Sequence, residues 1–120
     1  GMGIARQISA PNGGVIFTAR SDGHKEGAPG VAGGTSGRPA HLIKNAGTDA
    51  EQELDPMVAN LTLDKGETIR LETPGGGGYG DPAKRAEAAL AKDLRDGRIS
   101  AERAEALYGP AKVAQAKALI

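Results

Sequence analysis

Apolar residues change their rhythm along this chain, and the change predicts a β part followed by a helical part. From Gly3 to Ile8 the apolar positions alternate weakly, as in a short strand. Pro11-Asn12-Gly13-Gly14 follows as a turn, because Asn-Gly and Gly-Gly accept positive φ. Val15-Ile16-Phe17-Thr18-Ala19-Arg20 is β-branched and bounded by turn residues, so a hairpin is expected across residues 3–20. Residues 21–40 carry no period and read as a long loop, of a length usually tied to function, disorder or a partner. His41-Leu42-Ile43-Lys44 suits a brief strand, and the polar, acidic residues 45–56 read as a surface connection. The clearest expected hairpin joins Met57–Leu63 to Glu67–Glu72 through Asp64-Lys65-Gly66. Leu61 and Leu63 in one arm, and Ile69 and Leu71 in the other, alternate with polar residues and share a sheet face.

The period becomes helical after the run Thr73-Pro74-Gly75-Gly76-Gly77-Gly78-Tyr79-Gly80-Asp81-Pro82. Asp81 suits a helix cap and Pro82 the first helical position. Ala83, Ala86, Leu90 and Leu94, with Ala89, form a narrow apolar stripe, and Gly97 ends it. Ser100 caps a second helix with Ala104 and Leu107 inward, ending at Tyr108-Gly109, and Pro110 opens a third through residues 111–119. The expected fold class is α+β: antiparallel β hairpins with long Gly-rich loops, then a small C-terminal helical segment. The expected parts are a β-rich stretch at 1–73, a Gly-rich junction loop at 74–82 and a helical segment at 83–120. Together they make one compact domain or the terminal part of a larger subunit.

Composition narrows this picture. Hydrophobic residues make up 38% of the chain but aromatics only 2%, beside 19 Gly and 7 Pro. A core of Ala, Val, Ile and Leu alone is thin in a chain of 120 residues, which implies support from another chain, another copy or a further domain. Fifteen basic and fifteen acidic residues cancel, without the basic patch that nucleic-acid binding needs. The absence of Cys rules out disulfides and thiolate chemistry and suits a reducing cytoplasm, the expected location. No apolar run approaches the roughly 20 residues of a membrane span, so neither membrane nor nucleic acid is an expected partner. Gly1-Met2 reads either as a tag remnant before a start methionine or as internal to a longer protein.

Candidate chemistry gathers in the loops. Gly75, Gly76, Gly77 and Gly78, with Tyr79 and Asp81, invite comparison with a phosphate cradle, in which successive N–H groups meet an anion. The run lacks the Lys and Ser/Thr of a P-loop, and Asp81 puts negative charge where an anion would sit. A structural turn, or a flexible loop that lets another backbone approach closely, is the competing reading. Asp22 and His24 are candidates for a base pair or metal ligands, too few alone for a site, and Gly33 and Gly34 complete the candidate ligand or partner contacts. His41 stands isolated as a strand-edge residue, and Glu51, Glu53 and Asp55 read as a solvated acidic face. Gly-x-Ser-x-Gly does not occur, and no catalytic residue is assigned.

One stretch carries a family resemblance. Gly-Glu-Thr-Ile-Arg-Leu-Glu-Thr-Pro-Gly-Gly-Gly-Gly-Tyr-Gly-Asp-Pro at 66–82 is followed by Asp93-Leu94-Arg95-Asp96-Gly97-Arg98-Ile99-Ser100 and Ala106-Leu107-Tyr108-Gly109. With the opening at Gly3, Ile4, Ala5 and Arg6, the loop Ser21-Asp22-Gly23-His24-Lys25 and Pro29-Gly30-Val31-Ala32-Gly33-Gly34, this order resembles the C-terminal end of the hydantoinase B/oxoprolinase family. The resemblance covers about residues 3–109. These are B-type subunits of ATP-dependent N-methylhydantoinases, 5-oxoprolinases and acetone or acetophenone carboxylases. The chain departs from the family in having Pro29 and Gly30 adjacent, where an aromatic often intervenes, and in a longer, more helical tail after Gly109.

The resemblance implies an enzyme that uses ATP and a divalent metal to phosphorylate a substrate oxygen, with the nucleotide on an A-type partner. It implies no cofactor in this chain, partners in the A-type subunit or the remainder of the B-type subunit, and inactivity of this chain alone. The alternative expectation is a stand-alone binding module or a self-associating scaffold, a homo-oligomer of unknown ligand.

Overall fold

The turn chemistry at residues 11–14 and 64–66 bends the chain, yet the strands flanking each turn do not pair with each other. The computed structural model describes residues 1–120, which form two compact units, Gly1–Pro29 with Thr35–Gly78 and Gly30–Gly34 with Tyr79–Ile120. The first unit holds β1 (Ala5–Ser9), β2 (Val15–Arg20), β3 (His41–Lys44), β4 (Gln52–Glu53), β5 (Met57–Leu63) and β6 (Thr68–Glu72). A four-stranded antiparallel sheet runs β1-β6-β3-β4, and β2 pairs antiparallel with β5 in a second sheet. Both expected hairpins, 3–20 and 57–72, are therefore corrected. Their arms pair crosswise, β1 with β6 and β2 with β5.

These two pairs are one bent ribbon. Register runs from Ala5↔Glu72 to Ser9↔Thr68 and resumes from Val15↔Leu63 to Arg20↔Met57. Between the segments, the Ala10 N–H donates to the Glu67 carbonyl at 3.0 Å, and the Gly66 N–H to the Ala10 carbonyl at 2.8 Å. Beyond the strands, Ser21 N–H reaches Pro56 O (2.9 Å), Thr73 N–H reaches Ile4 O (2.8 Å) and Gly76 N–H reaches Gly1 O (3.1 Å). Residues 1–21 thus run antiparallel to residues 56–76. At the bend, residues 10–14 oppose 64–67, one extra residue on the first side; at Thr18, Ala59 and Asn60 restore the register from the second. Asn60 takes φ 55°, a left-handed angle that Asn tolerates, and its N–H donates to Thr18 Oγ1 at 3.2 Å. At the bend the two turns approach so closely that a Cβ on Gly13 would lie 2.9 Å from the Lys65 nitrogen.

The bend brings Phe17, Ala19, Val58 and Leu61 against the buried residues Ala10, Leu42, Leu63 and Ile69. Alternation delivers these side chains as expected; which strand faces which is a matter of long-range pairing. A carboxylate clamps the bend from outside the core. Glu67 accepts from Asn45 Nδ2 (2.9 Å) and the Asp64 N–H (2.9 Å), and pairs with Lys44 Nζ at 3.1 Å. These contacts, the Asn45 amide foremost, hold its acid form down, to a pKa of about 2 from 4.5. Because the folded value lies below the unfolded one, the stabilisation is present above pH 4.5 and is lost as pH falls through about 2. Glu67→Gln is expected to lower the urea midpoint near neutral pH and to flatten its acid dependence across that window. A variant as acid-sensitive as the parent would place the acid response elsewhere.

The second unit is helical: α1 (Glu87–Arg95), α2 (Ala101–Tyr108) and α3 (Pro110–Lys117), with α3 packed on both others. Leu90, Ala91, Ala104, Val113 and Ala116 are buried, with Leu94, Ile99 and Tyr108 packed around them. Ser100 caps α2 by accepting from the Arg103 N–H, as the sequence predicts. The expected single helix from Pro82 is corrected. Pro82–Lys84 is one 3-10 turn capped by Asp81, and ψ angles of 134° at Arg85 and 137° at Ala86 break it from α1. Ala83 and Ala86 are consequently exposed, and the inward stripe starts at Leu90. No helix is long and apolar enough to cross a membrane.

Candidate functional site

The glycine run is held by its neighbours on every side. Gly75 N–H donates to Arg38 O (3.0 Å), Gly76 N–H to Gly1 O (3.1 Å) and Gly78 N–H to Thr35 O (2.8 Å). Within the second unit, Gly80 N–H donates to Val31 O at 2.9 Å. Donors engaged with carbonyls do not form the open row that a phosphate cradle needs, so this loop does not fit a nucleotide.

Close approach is the reason for glycine here. A Cβ on Gly37 would lie 2.5 Å from Gly75 O and 2.8 Å from Gly76 O. A Cβ on Gly77 would collide with the Pro29 carbonyl oxygen, and one on Gly27 with the Gly37 carbonyl oxygen. Segments 27–29, 35–38 and 75–77 therefore stack main chain on main chain, at spacings any side chain would force apart. The run is pinned, which corrects the reading of it as a flexible loop.

The structure sorts the other candidates into separate groups. In the first unit, Asp22 and Gly75 line one open cleft of about 390 Å³ with Glu26 and Pro74. Asp22 and His24 line another of about 390 Å³ with Lys25, Glu26 and Pro56. In the second unit, Val31 and Tyr79 form a parallel bridge, and Gly34 N–H turns back to Val31 O at 3.0 Å. A Cβ on Gly33 would lie 3.5 Å from the Asp81 nitrogen, and the Asp81 carboxylate accepts from the Ala83 N–H at 2.9 Å. Tyr79 is 85% exposed.

The polar side chains form pairs. Ser21 Oγ lies 2.6 Å from His24 Nε2, a hydroxyl–imidazole contact that the sequence pattern did not reveal. The Asp22 carboxylate accepts from the Gly23 N–H at 2.8 Å. Conversely, His41 Nδ1 meets Glu53 Oε1 at 2.7 Å without a hydroxyl in that contact. This corrects two expectations: His41, the first residue of β3, is not isolated, and Glu53 is a strand residue; His41 has a register partner only in β6, since β4 pairs with Ile43 and Lys44. Neither pair by itself supplies a nucleophile, a base and an orienting group. No group of three or more His, Asp or Glu is gathered to hold a metal ion. The present residues do not fit a divalent metal site.

Residues 1–82 match the hydantoinase B/oxoprolinase family. The chain is 34% identical over 110 residues to a protein assigned as the B-type subunit of a D-/L-hydantoinase from Pseudomonas sp. (strain NS671), covering 91% of this chain and 18% of that protein. It is 45% identical over 59 residues to the β subunit of the caprolactamase of Pseudomonas jessenii, covering 48% of this chain and 10% of that protein. The chain thus spans under a fifth of either relative. No solved structure matches it. The match over residues 1–82, which reaches through the glycine run to Pro82, makes this chain a member of the hydantoinase B/oxoprolinase family.

Proposed function

We propose that this chain acts as the C-terminal part of a B-type subunit in an ATP-dependent cyclic-amide hydrolase or a related carboxylase. Its role is assembly and the shaping of a site completed by other chains, in the cytoplasm. The supporting observation is the apolar surface outside both small cores: Ile4 is 70% exposed, Ile16 69% and Met57 66%. Such side chains at this density suit contact with further protein. Nucleotide and metal belong to other parts of the enzyme, consistent with the engaged glycine donors and the paired rather than clustered titratable groups. The chain's own work is to position a surface.

Co-expression with the remaining B-type sequence and an A-type subunit, followed by affinity purification, tests this. All three chains are expected to elute together, and elution of the others without this one would remove the assembly role. Calorimetry with ATP, inorganic phosphate and divalent ions tests the alternative of a stand-alone binding module. No heat of binding is expected, and tight binding of any of them by this chain alone would favour that alternative.

A further inference from the structure

We propose that the cleft between β1 and β2 receives an extended partner segment that alternates an apolar residue with a carboxylate and adds to the free edge of β1. The inference goes beyond the assembly role above, and rests on it only for the chain working within a complex. β1 is the terminal strand of its sheet, and β2 pairs only with β5, so each strand has one unpaired edge. All five residues of β1 are exposed. An unpaired edge offers a row of main-chain donors and acceptors that another strand can complete.

A cleft of about 480 Å³, within the size range of binding sites, lies over the face that β1 shares with β6 and β3, with residues of β2 lining it as well. Ile8, Leu42, Ile69 and Leu71 floor it and Phe17 walls it. Register places Arg6 beside Leu71 and Ile8 beside Ile69, so Arg6 and Ile8 lie on this one face two residues apart. Arg6 and Arg20 both line the cleft, no Asp or Glu does, and neither guanidinium is in an ion pair.

These positions define the partner. A strand laid antiparallel on β1 turns every second side chain toward the cleft. The residue opposite Ile8 packs beside Ile8 at the rim of the apolar floor, and the one two places later meets Arg6. The segment therefore reads apolar, any residue, acidic, and a further carboxylate would suit Arg20. A symmetric pairing of β1 with the β1 of a second copy fits poorly, because β1 (Ala5-Arg6-Gln7-Ile8-Ser9) carries no carboxylate and would leave both arginines unpaired.

The amidated pentapeptide Thr-Val-Thr-Glu-Thr and its partner Thr-Val-Thr-Lys-Thr serve as probes, titrated into the isotope-labelled full chain and followed by amide chemical shifts. The acidic peptide is expected to shift β1 and β2 signals and to bind about tenfold more tightly than the basic one. Arg6→Glu with Arg20→Glu should reverse that ranking. Arg6→Gln with Arg20→Gln should abolish it while leaving the spectrum of the free chain folded. Equal binding of both peptides, shifts confined to other elements, or no shifts at millimolar peptide would each overturn the proposal. So would a dimer in light scattering that occupies the β1 edge and ignores both substitutions. Loss of co-purification with an A-type subunit would leave these peptide results untouched, so the two readings fail separately.

Discussion

Gly77→Ala is expected to unfold the β unit or destabilise it by about 3 kcal/mol or more, whereas Gly75→Ala, two residues away, should cost about 1 kcal/mol or less. The contrast comes from backbone spacing. At Gly77 a Cβ would overlap the Pro29 carbonyl oxygen and lie 2.8 Å from its carbon and 3.0 Å from Ala28 O. Neither neighbour is a side chain that can swing aside, so the stacked segments must separate. At Gly75 the nearest atoms would be Gly1 O at 3.3 Å and Arg38 N at 3.4 Å, a gap closed by shifts of a few tenths of an ångström. Urea unfolding of both variants, followed by circular dichroism, measures the difference. Equal stability of the two would show that the stack is looser than its geometry. In a complete enzyme, a Gly77→Ala chain that assembled normally but selectively lost ATP affinity would return the loop to the role of a phosphate cradle.

Leu90→Ala is expected to remove most of the helical signal, at a cost of about 3 kcal/mol within the 2–5 typical of buried Leu→Ala changes. Leu90 and Val113 are the large side chains fully buried among the helices; the rest of that core is Ala91, Ala104 and Ala116. The helices have 9, 8 and 8 residues, too short to persist in water unless packed. Removing Leu90 therefore takes away much of what holds α1 and α3 together. Leu119→Ala is the matched control: Leu119 is 61% exposed, so its loss should stay within about 0.5 kcal/mol. Amide exchange of α1–α3 reads both. Protection unchanged in Leu90→Ala would mean that the helices are held by something other than this core.

Much of the candidate site was hidden from sequence reading for a physical reason that Gly37 illustrates. Nothing near Gly37 in sequence marks it as a partner of Gly75 and Gly76, because contacts between backbones leave no side-chain pattern. Five glycines between Gly75 and Gly80 do signal unusual geometry. Their spacing is compatible with a phosphate cradle as well as a main-chain stack, and only the carbonyl partners separate the two. The His41–Glu53 pair was hidden differently, since a two-residue strand inside a polar connection has too little length to show a period.

Local chemistry alone determined the elements with short-range causes. Alternation marked β5 and β6, Ser100 marked the start of α2, and Gly97 and Gly109 marked helix ends, because caps and faces depend on residues a few positions apart. The α+β class and the family resemblance were also legible, the latter from the unusual run through Pro82. Tertiary structure decided the pairing. Asn12-Gly13-Gly14 and Asp64-Lys65-Gly66 are chemically fit for tight hairpins, and pairing β1 with β2 and β5 with β6 would have satisfied local preferences. Instead residues 1–21 pair with 56–76, and the two turns become matched bends facing each other across Ala10. That arrangement buries Ala10, Leu42, Leu63 and Ile69 together, and the hydrophobic gain of joining strands distant in sequence is invisible to any reading of neighbours.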